Sequence, residues 1–192
     1  AGIYTFRVEP SEQIWNTGYN FPAFNAGAVK REEIPDGSIA SGDAWVFNLR
    51  REKFQDIRVR EAIGLMFNFE WSNTALFYGM NTRLESFWDN SDLKAEGPPS
   101  PAELALLEPV AADLPDGILT DDAVSAPTSG ERQLDRGNAR RAGQLLDEAG
   151  WPVGSDGMRR NAAGQTLRVE FLDLNQSFDR IVNPYVENLR AI

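Results

Sequence analysis

The sequence contains no cysteine and no histidine. Without cysteine there is no disulfide framework and no zinc thiolate site. Without histidine, Ser–His and Cys–His nucleophile pairs and histidine-based metal sites are excluded from these 192 residues. Long apolar runs are missing as well. No stretch approaches the roughly 20 residues that span a bilayer, and no basic, apolar leader opens the chain, so direct membrane insertion is not expected. Positive charge is in short supply: 19 Lys and Arg against 29 Asp and Glu leave a net charge of −10. A surface of that sign repels nucleic acid and anionic lipid, and its ordinary use is solubility. The glycines of Gly37 to Gly42 have the look of a phosphate loop, but Asp43 and Ala44 stand where Lys and Ser or Thr are needed. A carboxylate there would repel phosphate, so no Walker loop is present. No cofactor is expected.

What is present is a hydrophobic content of 42%, enough for a core in one or two domains. The periodicities describe a mixed α/β chain. Alternation predicts strands over 3–8, 29–34 and 45–49, and a hairpin over 158–171 with Asn161 to Gly164 in its turn and Leu167, Val169 and Phe171 on one side. A short helix is expected over 11–15, and 18–27 reads as loop. The turn pair Asp36-Gly37 among small residues makes 35–43 a hinge or boundary. A helix over 57–67 places Val59, Ile63, Met66 and Phe67 on one face, with Asp56 as its cap and able to pair with Arg60. Asn68 starts a second helix that Gly79 ends.

Ser100-Pro101-Ala102-Glu103 is a capping box with proline at the first helical position, followed by a stripe of Leu104, Leu107 and Val110. Acidic loop follows over 114–131. A helix over 138–149 buries Ala142, Leu145, Leu146 and Ala149 and stops at Gly150. The last helix starts near Phe178, and Pro184 should kink it or mark its true start. Both ends break into regular patterns without caps, so the chain reads as a piece of a longer protein.

Chemistry-bearing clusters are few. Asp121-Asp122, with Asp116 near, could serve as acid and base or hold a metal, but adjacent residues point apart and the segment is loop-like. A solvated acidic loop is the better account. Asn175-Gln176-Ser177 matches a glycosylation acceptor, a short and frequent pattern. Arg50, Arg51, Lys53, Arg58 and Arg60 alternate with Glu52, Asp56 and Glu61, which describes a salt-bridged turn rather than a nucleic-acid patch. No catalytic or metal-binding residue is expected.

The run Phe47-Asn48-Leu49-Arg50-Arg51-Glu52-Lys53-Phe54-Gln55-Asp56-Ile57-Arg58-Val59-Arg60-Glu61-Ala62-Ile63 resembles the signature of the family-5 extracellular solute-binding proteins. These are the oligopeptide and dipeptide receptors of ABC importers. Leu49 replaces the usual Thr and Lys53 the usual Pro, and Asn68 stands where the family often has Asp. A second landmark, a helix ending in Glu148-Ala149-Gly150-Trp151 and followed by a hairpin, agrees in order and spacing. Phe77-Tyr78-Gly79, Thr82-Arg83, Asn90-Ser91 and the run from Pro99 to Pro109 are most similar to the subgroup that imports microcin C and oligopeptides.

The resemblance implies part of a two-lobed, type II periplasmic-binding-protein fold and a periplasmic location. Its implied partners are a peptide or peptide-like ligand and the membrane subunits of an ABC permease. Residues 1–38 would end the first-lobe segment and 39–192 would form most of an incomplete second lobe. By position in the family, Arg7, Val8, Glu9, Gly42, Asp43 and Trp45 fall along the cleft, with Arg83 a further candidate. Glu9 or Asp43 would hold an ammonium group, Arg7 a carboxylate, and Trp45 would either stack on a ligand side chain or sit in the core. The competing reading is a fragment of a carboxylate-based hydrolase using Asp121, Asp122 or Glu9.

Overall fold

The computed structural model describes residue 9 and residues 11–35, 37–40, 42–173 and 176–192. The expected first strand, Asp36 of the turn pair and Asn175 of the acceptor motif lie outside the described residues, wholly or in their key position. The chain forms two compact units. The first gathers the described part of Ala1–Arg31 with Trp45–Asn81 and Pro127–Ile192; the second gathers Glu32–Ala44 with Thr82–Ala126.

The core of the first unit is an antiparallel helix pair. Helix α3, Ile57–Leu65, buries Val59, Ala62 and Ile63, with Met66 just beyond its end. Helix α6, Arg136–Glu148, buries Ala142, Leu145 and Leu146. Both sets recur at intervals of three and four, so each helix offers one apolar stripe. Ala62 and Ala142 are completely buried, and their small side chains permit close approach of the two backbones. Phe54, Trp151 and Tyr185 close the cluster. Each fully buried large side chain contributes about 1.5–3 kcal/mol.

Polar contacts fix the pair's register. Asp56 caps α3 by accepting from Arg58 N at 2.9 Å, and its carboxylate also pairs with the Arg58 guanidinium at 2.6 Å. Arg58 Nη1 donates to Glu148 O at 2.8 Å, placing a cation on the carbonyl end of α6, where the helix dipole favours it. The expected Asp56–Arg60 pair is therefore replaced. Arg60 instead donates to Phe54 O and Gln55 O at 2.7 and 2.9 Å. The turn before α3, including the 3-10 segment Glu52–Phe54, owes as much to cations on carbonyls as to ion pairs: Lys53 Nζ likewise donates to Arg168 O.

Helix α1 is Glu12–Thr17, capped by Ser11, and α2 is Pro22–Asn25. The second falls in a stretch expected to be loop; Pro22, with its fixed φ and its absent N–H, suits a helix start. Helix α4, Phe69–Leu76, follows Asn68 directly. Its exit is closed by two residues in the left-handed region, Tyr78 at φ 56° and Gly79 at φ 74°.

Helix α7, Asp179–Leu189, runs through Pro184 without restarting there, so the proline does not mark its beginning. The side chains after Pro184 bind α3: Tyr185 Oη donates to Ile63 O at 2.8 Å and Asn188 Nδ2 to Met66 O at 3.0 Å. Those carbonyls sit at the C-terminal end of α3, where the helical ladder runs out; Ile63 O also accepts from Met66 N at 3.1 Å.

The β part of the mixed α/β expectation is not realised among the described residues. Among the described residues, pairing is confined to two isolated antiparallel bridges, Val153 with Arg159 and Arg160 with Thr166. Residues 29–34 and 45–48 form no ladder. The alternation is nevertheless real. Trp45 and Phe47 turn inward while Val46 between them is 90% exposed. Leu167, Val169 and Phe171 pack on the core, and Arg168 and Glu170 point out and pair at 3.3 Å. A strand also needs a neighbour for its backbone groups; the run from Leu167 starts on one, with Leu167 N donating to Arg159 O at 2.9 Å, but forms no continuing ladder among the described residues. The turn of the expected hairpin forms, with Asn161 Oδ1 accepting from Ala163 N and Gln165 N at 3.1 and 2.9 Å.

In the second unit, helix α5 is Pro101–Leu107, and its capping box is complete. Pro109 then converts the chain to a 3-10 segment, Glu108–Asp113. The expected buried stripe is only partly realised: Leu104 and Leu107 are half-buried, and Val110 is exposed because it lies past the helix.

Candidate functional site

Of the expected cleft residues, Arg7 and Val8 lie outside the described residues. Glu9 and Trp45 belong to the first unit; Gly42, Asp43 and Arg83 belong to the second. Glu9 Oε1 accepts from Ser11 N at 3.2 Å, at the start of α1. Trp45 lies in a ring cluster with Phe67, Phe171 and Tyr185, at centroid distances of 5.4, 5.9 and 5.6 Å. It remains 39% exposed, so one part of the indole packs and another faces outward. Edge-to-face contacts of this kind hold an aromatic surface in a fixed orientation.

Asp43 is exposed. Gly42 is pressed against Leu84, the residue after Arg83: a Cβ built on Gly42 would lie 2.4 Å from Leu84 Cδ1. A side chain at this position would have to turn the end of Leu84 aside, and Gly42 takes no left-handed φ. Arg83 is half-buried.

The loop after Arg83 carries residues that sequence reasoning missed. Asp89 is buried, and one carboxylate oxygen accepts from Glu85 N and Ser86 N at 2.7 and 3.2 Å. Lys94 Nζ lies 2.9 Å from the other. The ammonium first, then the backbone donors, hold this carboxyl below its ordinary range. Asp89 O accepts from Ala40 N at 2.9 Å, and Asn90 Nδ2 donates to Ser38 O at 2.6 Å. The loop is thus fastened to the segment that carries Gly42 and Asp43. Ser86, three residues before an Asp, was the available signal, since such spacing favours local side-chain to backbone turns.

A second cluster surrounds Arg31. Its guanidinium stands 5.1, 5.5 and 5.6 Å from the ring centroids of Trp15, Tyr19 and Phe24, and it donates to Trp15 O. This arrangement folds α1 and α2 about one cation. An open pocket of about 410 Å³ lies at the start of α6, lined in part by Gly130, Arg132, Leu134 and Asp135. Asp135 already engages one helix-end N–H and one loop N–H there, accepting from Asn138 N at 2.8 Å and Gly130 N at 2.9 Å. Those same donors, Asn138 first, lower its pKa.

Among the described residues no three acidic side chains gather as a metal site, and none of the described helices is long and apolar enough to cross a membrane. Asp121 accepts from its neighbour Thr120 Oγ1 at 2.8 Å in an exposed turn.

Residues 2–192 match the model of the middle region of the bacterial extracellular solute-binding proteins, family 5. The chain belongs to this family. The "Probable peptide-binding protein YejA" of Agrobacterium fabrum is 38% identical over the whole chain, which covers 31% of that protein's length. The YejA protein of Escherichia coli K12 is 36% identical, again over the whole chain and 32% of its own length. The "Peptidoglycan-binding protein YepA" of Agrobacterium fabrum is 33% identical over 93% of the chain and 29% of its length. The chain therefore spans about a third of each of these curated relatives. As a family-5 chain it falls among binding proteins, and nothing in the match favours a hydrolase. The signature around 47–63 is accounted for in the structure by the Asp56 cap and the α3 stripe, which are architectural.

Proposed function

We propose that this chain is part of the substrate-binding component of an ABC importer. That receptor would take peptides, or solutes carrying peptide, between two lobes and deliver them to a membrane permease in the periplasm or at the cell exterior. The observation that carries this reading is the family match across residues 2–192. The peptide-binding and peptidoglycan-binding names of two relatives support a peptide-bearing ligand. In this reading the parent has a mixed α/β, type II two-lobed fold. Residues 1–38 finish the first-lobe segment, and 39–192 build most of the second lobe. The alternating runs 45–48 and 167–171, which form no continuing ladder among the described residues, then find their ladder neighbours in other parts of the parent.

Arg7, Val8, Glu9, Gly42, Asp43, Trp45 and Arg83 are the residues proposed to line the ligand. Exposed carboxylates such as Asp43 suit a peptide ammonium, and the outward part of Trp45, held by three rings, suits an apolar side chain. The test is ligand retention by the full-length protein. Purified from its native host under mild conditions and then denatured, it should release unmodified peptide or muropeptide detectable by mass spectrometry. Recovery of cleaved products with turnover abolished by Asp121→Asn or Asp122→Asn would instead revive the hydrolase.

A further inference from the structure

Loop 84–91 of the second unit combines two properties. Its backbone is stapled in place, and its aromatic side chains are outside. Asp89 draws in Glu85 N and Ser86 N, Ser86 Oγ accepts from Trp88 N at 3.0 Å, and Ser91 Oγ donates to Trp88 O at 2.7 Å. Asn90, at φ 62°, makes the reversal that lets its amide reach Ser38 O. Yet Phe87 is 96% exposed and Trp88 48%. A floppy loop with exposed rings would fold them onto the nearest apolar surface; this one is braced against doing so. A braced backbone lowers the cost of binding through these rings, because little main-chain freedom remains to be lost.

Position says what would bind. The loop runs beside the segment that carries Gly42 and Asp43: Asn90 meets Ser38, Asp89 meets Ala40, and Leu84 presses on Gly42. The segment supplies an exposed carboxylate and the loop supplies rings, the pairing that suits an ammonium group next to an apolar side chain. We propose that Phe87 and Trp88 receive an apolar side chain of the bound peptide, extending the surface that begins at Gly42 and Asp43. This rests on the peptide-receptor reading above.

The test uses the full-length protein and two probes, tri-leucine and tri-glycine, titrated by calorimetry. Wild type, Phe87→Ala, Trp88→Ala and the conservative Phe87→Leu are compared. Phe87 touches little, so Phe87→Ala should keep the wild-type melting temperature. For tri-leucine, each alanine variant should bind about tenfold more weakly or worse, as for an aromatic anchor. Phe87→Leu should restore part of the loss, and tri-glycine binding should change by less than about twofold. Unchanged tri-leucine affinity in both alanine variants overturns the proposal. So does an equal loss for both peptides, which would make the loop merely structural. Unchanged binding with lost uptake in cells assigns the loop to the permease and overturns it too. If wild type binds neither peptide, the loop has no apolar peptide side chain to receive and the proposal is overturned, whereas the receptor reading is decided separately by the ligand-release test above.

Discussion

Asn68 shows how much one side chain decides. Sequence pattern allows Asp or Asn at a helix cap, since either oxygen can accept from the first turn. Here Asn68 Oδ1 accepts from Trp71 N at 2.8 Å, while Nδ2 donates to Gly130 O and Arg132 O at 2.8 and 2.7 Å. The residue is 3% exposed. A carboxylate could keep the cap but would face two carbonyl oxygens with no proton to give. Asn68→Asp should therefore lose about 1–3 kcal/mol of stability, more than Asn68→Ser, read as the shift in urea midpoint. An Asp variant as stable as wild type would show that the 130–132 carbonyls have other donors. Tyr185 gives a milder case. Tyr185→Phe removes the donor to Ile63 O with almost no change in shape, and should cost about 1 kcal/mol. The cap on Trp71 N was legible in the sequence, but the carbonyl partners were not, because each of those pairings joins residues about 60 or more positions apart.

At the scale of elements, the parts written locally were the parts that could be read. The stripes of α3 and α6, the Asp56 and Asn68 caps, the box at Ser100 and Glu103 and the stop at Gly79 all depend on neighbours within about a turn or two. Strand expectations fared differently. The inward Trp45 and Phe47 with outward Val46 were readable, but a ladder depends on a partner the pattern does not name. The site divides the same way. Candidates at Gly42, Asp43 and Trp45 came from family position, whereas the bracing of loop 84–91 by Asp89 appears only once Ala40 and Lys94 are in place. The helix pair makes a quantitative claim. Leu146 is 1% exposed within the core cluster that α3 and α6 form. Leu146→Ala should cost about 2–5 kcal/mol, whereas Leu106→Ala on α5, 78% exposed, should stay within about 0.5 kcal/mol. Chemical denaturation of both variants tests the contrast; equal losses would mean that α3 and α6 are not the stabilising centre.

For the molecule as a whole, the proposed receptor closes on its ligand, so full-length protein should show a smaller radius of gyration by small-angle scattering once peptide saturates it. An unchanged radius with retained peptide would separate binding from closure. Charge gives a sharper expectation. Asp56, Asp89 and Asp135 all have pKa values below their ordinary ones. The leading causes are the Arg58 side chain, the Lys94 ammonium and the Asn138 backbone N–H, respectively. A depressed carboxylate takes up its proton more readily in the unfolded chain. Its contribution is therefore complete above the ordinary carboxylate value and is lost as pH falls through the folded one. No histidine is present to titrate between about pH 5 and about pH 8. The melting temperature should thus stay nearly flat across that interval and fall steeply below about pH 4, where these three carboxylates begin to protonate. Asp89→Asn removes one contributor: it should lower stability at neutral pH, because Lys94 loses the nearer of its two carboxylates and keeps only Glu85 at 3.5 Å, and make the acid limb shallower. Circular dichroism melts from about pH 2 to about pH 8 on wild type and this variant would measure both slopes. A wild-type curve that already falls between about pH 5 and about pH 8 would show that other groups, not these paired carboxylates, govern the acid response.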